Sequence, residues 1–362
     1  MIFNMKLITI VGARPQFIKA AALSRALKNF PQIEEIIVHT GQHFDQKMSD
    51  IFFEEMEIPA PKYNLNINGL SHGAMTGQML EGIEKIIMEE KPDAIVVYGD
   101  TNSTLAGALA AIKLHIPVVH IEAGLRSFNM QMPEEINRIL TDRISSLLCC
   151  PTDTAIANLK NEGFDNFKCK IVKTGDLMED AARYYAKVAS SNSTILNDLK
   201  LVPNNYLLGT MHRAENTDNP ENLKSMVRAL DAINEKMQVV IPLHPRTKKI
   251  IENLGISVGF KIIDPVGYFD MINLIQNSNL VVTDSGGLQK EAFFFRKFCI
   301  TTREQTEWVE LVDNGYNFIA GTDELKIVKL FDELKSKEFP TALNLYGNGN
   351  ASMEICKALL SL

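Results

Sequence analysis

This 362-residue sequence lacks several features that would place it in a special class of protein. It has no apolar run of the roughly 18 residues that a membrane span needs, and its N-terminus does not read as a signal peptide. Its five cysteines are odd in number and show no C-x-x-C spacing, which disfavours both a disulfide framework and a zinc site. We therefore expect a cytoplasmic protein with reduced thiols and no membrane partner.

Nucleotide-binding fingerprints and metal-ligand clusters are missing as well. No G-x-G-x-x-G follows the first apolar run, no P-loop motif occurs, and there is no D-x-D cluster. One H-x-x-x-H spacing occurs, at 39–43, but no H-E-x-x-H motif does. A net charge of −7 and a pI near 5.6 argue against a nucleic-acid surface, which is normally basic. The chemistry is thus expected to come from side chains alone, with no cofactor, no metal and no nucleic-acid partner.

Short apolar runs rich in β-branched residues alternate with helical patterns along the whole chain. Because most of these runs are continuously apolar, they are typical of parallel strands covered on both faces. The predicted strands are 7–11, 35–39, 94–98, 118–121, 147–150 and 171–173, then 206–211, 239–242, 261–263, 280–283 and 298–301. The predicted helices are 18–29, 75–90, 103–114, 134–145, 221–236, 247–253, 271–277 and 288–295. With a polar stretch at 189–197 in between, the pattern predicts an α/β protein of two Rossmann-like domains facing a cleft.

Acidic side chains follow the predicted strands of the first half. Asp100 and Glu122 come after two of them, and Glu134 begins a helix. Open parallel sheets bind ligands at the carboxyl ends of their strands, so these acids are expected to converge on a proton-transfer site. Asp100 could instead cap the next helix, and Glu134 could pair with Arg138 four residues on. Glu122 has no nearby helix to cap and is the strongest catalytic candidate.

The second half offers groups that bind phosphate. The segment 283–287, Thr-Asp-Ser-Gly-Gly, reads as a strand, a tight turn and a helix start, which presents unpaired N–H groups to an anion. His212 and Arg213 follow an earlier strand and suit charge-assisted bonds to a diphosphate. A plain turn and a structural histidine are the simpler alternatives. Glu291 could accept hydrogen bonds from a ribose or simply face solvent.

Several motifs together resemble the non-hydrolysing UDP-N-acetylglucosamine 2-epimerases, and the resemblance spans the chain in order. They are Gly12-Ala13-Arg14-Pro15 with Lys19, Gly41-Gln42-His43, Gly99-Asp100-Thr101, His120 to Arg126, Pro133-Glu134-Glu135 with Asn137-Arg138, His212-Arg213 and Thr283 to Gly287.

The resemblance implies a glycosyltransferase-B-like fold with domains 1–178 and 179–345, the helix in 346–362 returning to the first. It implies that C2 of a UDP-2-acetamido sugar is inverted without NAD or metal, by eliminating UDP to a 2-acetamidoglucal and adding it back. The first domain would carry the catalytic acids and the second would bind UDP. Family members are commonly homodimers that feed surface polysaccharide synthesis.

The resemblance also implies a role for each candidate residue. Catalysis would fall to Asp100, Glu122, Glu134 and His212. Substrate binding would fall to Arg14, Lys19, Arg138, Arg213, Ser285, Gly286, Gly287 and Glu291. A second, regulatory site for the substrate would involve Gln42, His43 and His244. Two acids should act on opposite faces of C2, because one group that removed and returned the proton would restore the starting stereochemistry.

Two departures from the family pattern concern the substrate. Many members have glutamate after Arg-Pro and read Thr-Glu-Arg-Pro-Glu in a later loop, whereas this chain has Gln16 and Trp308. These variants look more like the branch that acts on UDP-2,3-diacetamido-2,3-dideoxyglucuronate. UDP-N-acetylglucosamine is the predicted substrate, and that uronate is the alternative substrate for the same reaction. A glycosyltransferase of the same fold, a hydrolysing 2-epimerase and a non-catalytic UDP-sugar sensor are the alternative functions.

Overall fold

The chain forms two compact units. A computed structural model describes residues 5–42, 58–341 and 343–362. The first unit comprises Met1–Ala181 and Asn344–Leu362, and the second comprises Ala182–Leu343. The chain passes from the first unit to the second within the helix Leu177–Asn192. Because this helix continues to Asn192, the polar stretch 189–197 is in part helical.

The first unit contains a seven-stranded sheet in which every neighbouring pair is parallel. Its strands are β1 (Met5–Val11), β2 (Ile33–His39), β3 (Tyr63–Asn64), β4 (Ala94–Tyr98), β5 (Val118–Ile121), β6 (Leu147–Cys150) and β7 (Lys170–Lys173). They lie in the order β3-β2-β1-β4-β5-β6-β7. The order reverses between β1 and β4, and this switch point is where open α/β sheets bind their ligands.

Helices connect and cover these strands. They are Arg14–Leu27, His72–Glu90, Asn102–Lys113, Pro133–Ile144, Asp153–Asn161, Leu177–Asn192 and, near the C-terminus, Ala351–Leu359. Ile8 and Ile10 of β1 pack with Met79 and Ile83 of the helix His72–Glu90 in one apolar cluster. The last helix, Ala351–Leu359, packs against Arg14–Leu27 and so belongs to the first unit.

The second unit repeats this topology with six parallel strands. They are β8 (Tyr206–Thr210), β9 (Gln238–Pro242), β10 (Lys261–Ile263), β11 (Leu280–Thr283), β12 (Cys299–Thr301) and β13 (Asn317–Ile319), in the order β10-β9-β8-β11-β12-β13. The helices are Ile195–Leu199, Ala214–Thr217, Pro220–Asn234, Pro245–Asn253, Tyr268–Asn277, Gly286–Phe294, Val309–Asp313 and Glu324–Leu334. Here the switch point lies between β8 and β11.

The prediction of two Rossmann-like domains with parallel sheets is confirmed. Five predicted strands, 94–98, 118–121, 147–150, 261–263 and 280–283, have the observed bounds. The sequence analysis missed β3 and β13, which are only two and three residues long, and several helices, including Glu324–Leu334. Among the residues that the structure describes, no helix is long and apolar enough to cross a membrane.

Candidate active site

The turn after β1 begins the site in the first unit. Gly12 leaves no room for a side chain, because a Cβ there would lie 2.1 Å from Thr40 Oγ1 and 2.3 Å from Ser103 Oγ. Gln16 reaches back so that its Oε1 accepts from the N–H groups of Gly12 (2.8 Å) and Ala13 (3.0 Å). The turn is thereby fixed, and it places Arg14 at the first position of the helix Arg14–Leu27.

Gln16 also connects this turn to the neighbouring strand β4. Its Nε2 donates to the carbonyl of Tyr98 (2.9 Å) and to the hydroxyl oxygens of Thr101 and Thr104 (3.0 Å each). The side chain of Gln16 is buried, so it stabilises the site from the interior of the first unit. The residue acts by joining the loops after β1 and β4.

Asp100 follows β4 and is held from several sides. Arg138 forms an ion pair with its carboxylate, and Asn137 Nδ2 donates to its backbone carbonyl at 2.9 Å. Loss of water around the carboxyl raises the pKa of Asp100 above its usual range, and the nearby Arg138 offsets only part of this. Thr101, and not Asp100, caps the helix Asn102–Lys113. Asp100 is thus available for chemistry and keeps its proton to a higher pH than an ordinary aspartate.

Glu122 follows β5, the strand next to β4, and pairs with Lys19. The two side chains form an ion pair and are only 12% and 8% exposed. Glu122 has a positive φ of 70°, a conformation that a non-glycine residue adopts only when its surroundings impose it. A Cβ on Gly99 would lie 3.2 Å from Glu122 Oε2 and 3.7 Å from Lys19 Nζ. The Asp100 and Glu122 turns therefore lie side by side at the carboxyl-end edge of the sheet next to the switch point, here called the switch edge. This was expected for residues that follow parallel strands.

Glu134 and Glu135 are consecutive, but Glu134 is exposed and Glu135 is buried. Glu134 is exposed in the first turn of the helix Pro133–Ile144. Glu135 is 1% exposed, forms the ion pair with Arg138, and accepts from the N–H groups of Ser127 (2.9 Å) and Phe128 (2.9 Å). The suggested pairing of Glu134 with Arg138 is therefore wrong, because the helix turns Glu135 inward, three residues before Arg138. The catalytic role of Glu134 stays a prediction.

Glu135 acts as a fixed charge. Burial raises the pKa of its carboxyl, but the N–H group of Ser127, the charge of Arg138 and the N–H group of Phe128 together hold that pKa below its usual range. The carboxyl groups of Glu135 and Asp100 both contact the guanidinium of Arg138. Arg138 is thus locked in place by Glu135 and steadies Asp100.

In the second unit, His212 pairs with a buried aspartate. Asp284 is 0% exposed, and its Oδ1 lies 2.9 Å from His212 Nδ1. Its Oδ2 accepts from the backbone N–H groups of His212 and Arg213, each at 3.0 Å. Burial raises the pKa of Asp284, but the hydrogen bond and charge of His212 and the two N–H groups outweigh it and lower that pKa below its usual range. The ionised Asp284 therefore orients the imidazole, of which about half (51%) stays exposed.

The Ser285-Gly286-Gly287 turn starts the helix Gly286–Phe294, as predicted. Ser285 is its N-cap and accepts from the N–H group of Leu288 at 3.5 Å. The first N–H groups of a helix have no carbonyl one turn back, so those of Gly286 and Gly287 are suited to an anion. Nothing lies within 4 Å of a Cβ on Gly287, whereas one on Gly286 would lie 2.6 Å from Glu307 Oε1. Glu291 is buried later in the same helix.

Trp308, one of the departures from the family pattern, supports this turn. Its indole Nε1 donates to the carbonyl of Gly286 at 2.9 Å, and Lys290 Nζ lies 4.0 Å from the centre of its ring. The side chain is 4% exposed. Trp308 therefore acts on the backbone of the predicted phosphate-binding turn.

Gln42 and His244, two residues of the predicted regulatory site, have separate structural tasks. Gln42 Oε1 accepts from the N–H (3.0 Å) and hydroxyl (2.6 Å) groups of Ser103. His244 caps the helix Pro245–Asn253, with Nδ1 accepting from the N–H group of Arg246 at 3.2 Å. His43 lies outside the described residues. The regulatory site stays a prediction. Within the described parts of the chain, no group of three or more His, Cys, Asp or Glu is arranged to hold a metal.

Some residues of the site, and some contacts between predicted residues, were not identified from the sequence. Asp284 lies in the quoted phosphate-binding motif, and its position directly after a strand beside that of His212 was the signal that could have found it. Glu135, Arg138 and Asp142 recur at helical spacing, which indicates one buried polar face of the helix Pro133–Ile144. Nothing local points to Lys19 as the partner of Glu122, 103 residues away.

The chain resembles named 2-epimerases along almost its whole length. The sequence profile of UDP-N-acetylglucosamine 2-epimerase matches residues 25–360. UDP-2,3-diacetamido-2,3-dideoxy-D-glucuronate 2-epimerase of Pseudomonas aeruginosa is 55% identical over 359 residues, covering 99% of this chain and 100% of the relative. The solved structure of Methanocaldococcus jannaschii UDP-GlcNAc 2-epimerase in complex with UDP-GlcNAc and UDP matches with a TM-score of 0.89 at 43% identity, covering 99% and 100% of the two chains. That of Neisseria meningitidis UDP-GlcNAc 2-epimerase bound to UDP-GlcNAc has a TM-score of 0.88 at 31% identity, with the same coverage.

Proposed function

Because this chain belongs to the UDP-N-acetylglucosamine 2-epimerase family and is an isomerase of UDP-sugars, we propose that it inverts C2 of a UDP-2-acetamido sugar by removing and re-adding UDP. The C2 hydrogen has no neighbouring ring carbonyl to acidify it. It can leave only with, or after, the anomeric diphosphate. The observation that carries the proposal is the pair of acid-bearing turns at the switch edge of the first unit, where Glu122 pairs with Lys19 and Asp100 pairs with Arg138.

The forward step breaks two bonds and forms one double bond. A carboxylate takes the C2 proton, the C2–H electron pair forms the C1–C2 double bond, and the C1–O pair leaves with UDP. The return step delivers a proton to the opposite face of C2 while a UDP oxygen attacks C1. We assign proton removal to Glu122. We assign delivery to Asp100, whose raised pKa suits a proton donor. Glu134 remains the third predicted catalytic acid, with no step assigned to it.

The second unit is proposed to hold the leaving UDP. His212, oriented by Asp284, and Arg213 would bind the diphosphate together with the N–H groups of Gly286 and Gly287. The N–H group of Ser285 already donates to Thr283 Oγ1 at 2.9 Å, so Ser285 would contribute through its side chain. Glu291 would accept from the ribose. The substrate-binding roles of Arg14 and Lys19 stay predictions. Donors that stabilise charge on a leaving oxygen are worth about 3–4 kcal/mol each when well placed.

For the sugar itself, we propose UDP-2,3-diacetamido-2,3-dideoxyglucuronate. One support is the 55% identity to the Pseudomonas aeruginosa enzyme named for that substrate. The other is Gln16, whose neutral side chain bonds to the loop that carries Asp100 and makes the region less acidic, which suits the carboxylate of a uronate. UDP-N-acetylglucosamine is the second candidate. It is favoured by the 43% identical Methanocaldococcus jannaschii structure that contains it.

Supplying each UDP-sugar separately to the purified protein tests this choice. We expect proton NMR to show a C2 epimer of the diacetamido uronate forming at least about tenfold faster than that of UDP-N-acetylglucosamine, a difference of roughly 1.4 kcal/mol in barrier. Faster turnover of UDP-N-acetylglucosamine would select the second candidate. Stoichiometric release of UDP would indicate a hydrolysing enzyme, and no reaction of either sugar would favour a glycosyltransferase or a sensor.

We also propose that the protein is a cytoplasmic homodimer. Large apolar side chains are exposed on the first unit: Phe128 (77%), Met130 (60%), Ile136 (40%) and Leu140 (46%). Ile136 and Leu140 are four residues apart, on one face of the helix Pro133–Ile144. The five free thiols support a reducing compartment.

A further inference from the structure

His120 lies in the middle of the first unit, beneath the two acid-bearing turns. It belongs to β5, and its side chain is 0% exposed. Its Nδ1 lies 2.6 Å from Asp142 Oδ1, and its Nε2 lies 2.7 Å from the carbonyl oxygen of Gly99. Both ring nitrogens therefore face oxygen atoms.

The partners of these nitrogens determine where the protons are. A carbonyl oxygen only accepts, so Nε2 carries a proton and donates it to Gly99. The other oxygen of Asp142 accepts from Arg126 NH1 at 2.7 Å and from the N–H group of Gly124 at 3.1 Å. His120 therefore connects Asp142 to the carbonyl of Gly99 through its two ring nitrogens.

Asp142 connects this histidine to the second turn. It is 0% exposed on the helix Pro133–Ile144, and its bond to the N–H group of Gly124 fixes the chain two residues after Glu122. Through His120 it also fixes the carbonyl of Gly99, one residue before Asp100, where Gly99 has a φ of +61°. Arg126 continues the chain of alternating charges to Glu162. One buried carboxylate therefore ties together the backbone of both acid-bearing turns.

We propose that His120 and Asp142 are positioning residues that set the distance between the carboxylates of Asp100 and Glu122. This inference rests on the proposed function, in which these two acids act on one carbon atom. Neither His120 nor Asp142 touches the substrate. They act by holding the Gly99–Asp100 peptide and the Glu122–Gly124 turn in place, and a displacement of about 1 Å at such a site can cost about 10²-fold in rate.

Two variants of His120 separate its two hydrogen bonds. In H120N the amide nitrogen takes the place of Nδ1, so the contact with Asp142 is kept and the bond to Gly99 is lost. In H120Q the amide nitrogen takes the place of Nε2 and keeps the bond to Gly99. We expect H120N to lower kcat about 10²-fold with KM changed less than about threefold, and H120Q to recover at least about tenfold of that loss. His115→Asn, at a position of positive φ outside this network, is the matched control and should keep wild-type kcat.

A full kcat in folded H120N would overturn the proposal. So would an H120Q no more active than H120N, because the bond to Gly99 would then not matter. Nitrogen-15 NMR of histidine-labelled wild type gives a test that needs no turnover. We expect one histidine, absent from the H120Q spectrum, whose Nε2 carries a proton protected from exchange with solvent, because this nitrogen donates to the buried carbonyl of Gly99. If no histidine carried such a proton, the bond from His120 to Gly99 would be disproved even if the variants failed to fold. A wild type that epimerises neither UDP-sugar would instead count against the proposed function, leaving this NMR result to stand by itself.

Discussion

Glu122→Gln is expected to lower kcat by about 10²–10⁴-fold, the contribution of a positioned general base. Glutamine keeps the shape of the side chain but cannot accept the C2 proton. The positive φ of Glu122 and its ion pair with Lys19 show that the turn holds this carboxylate in one place. The measurement is steady-state kcat with the UDP-sugar that the wild type prefers, together with thermal unfolding of each variant.

Loss of a buried charge complicates this variant, because Lys19 would lose its partner. Removing one member of a buried ion pair typically costs about 3–5 kcal/mol of stability. The double variant Lys19→Met with Glu122→Gln removes both charges, so stability should recover while activity stays low. Glu90→Gln is the matched control: Glu90 is also buried and pairs with Lys6 and Lys62, yet it belongs to neither acid-bearing turn. Activity that returned with stability in the double variant would show that Glu122 serves folding and not proton transfer.

His212→Gln is expected to lower kcat by about 10²–10³-fold, because it removes a donor to the leaving diphosphate. Asp284→Asn should cost less, about 10–10²-fold, since it weakens the support of the imidazole without removing the ring. His212 Nδ1 lies 2.9 Å from Asp284, and the exposed part of the ring is available to the ligand. Binding of UDP alone, measured by calorimetry, should weaken in both variants. Glu235→Gln, at an exposed position directly after the helix Pro220–Asn234 of the same unit, should leave UDP binding and kcat unchanged.

The same pair predicts a pH effect on folding. The folded pKa of Asp284 is lowered, so its stabilising contribution is fully present above about pH 4, the unfolded value, and is lost as the pH falls through the folded value. Asp284→Asn should therefore lose stability at neutral pH and show a shallower decline in acid than the wild type. Parallel acid-unfolding curves for the wild type and Asp284→Asn would contradict the predicted pH effect. Unchanged UDP binding in His212→Gln would contradict the proposed role of His212.

The sequence predicts the fold and the edge at which the site lies, because both depend on local patterns. Continuous apolar runs locate the strands, and parallel topology brings the residues after β4 and β5 together. Partners distant in sequence are a different matter. The pairing of Glu122 with Lys19 depends on side-chain geometry that no local pattern encodes. The pairing of His212 with Asp284 depends on which strands are neighbours, and the positions of the two residues after their strands give only part of that information. The choice between Glu134 and Glu135 depends on the phase of a helix with acids at consecutive positions, and packing decides it by burying Glu135.

In the proposed mechanism, the first unit takes a proton from C2 on one face and returns one on the other while UDP is detached. Proton NMR of the wild-type reaction in heavy water detects this exchange. We predict that every molecule of the new epimer carries deuterium at C2, because the incoming proton comes from a solvent-exchanged acid. An epimer that kept its original hydrogen at C2 would contradict the mechanism.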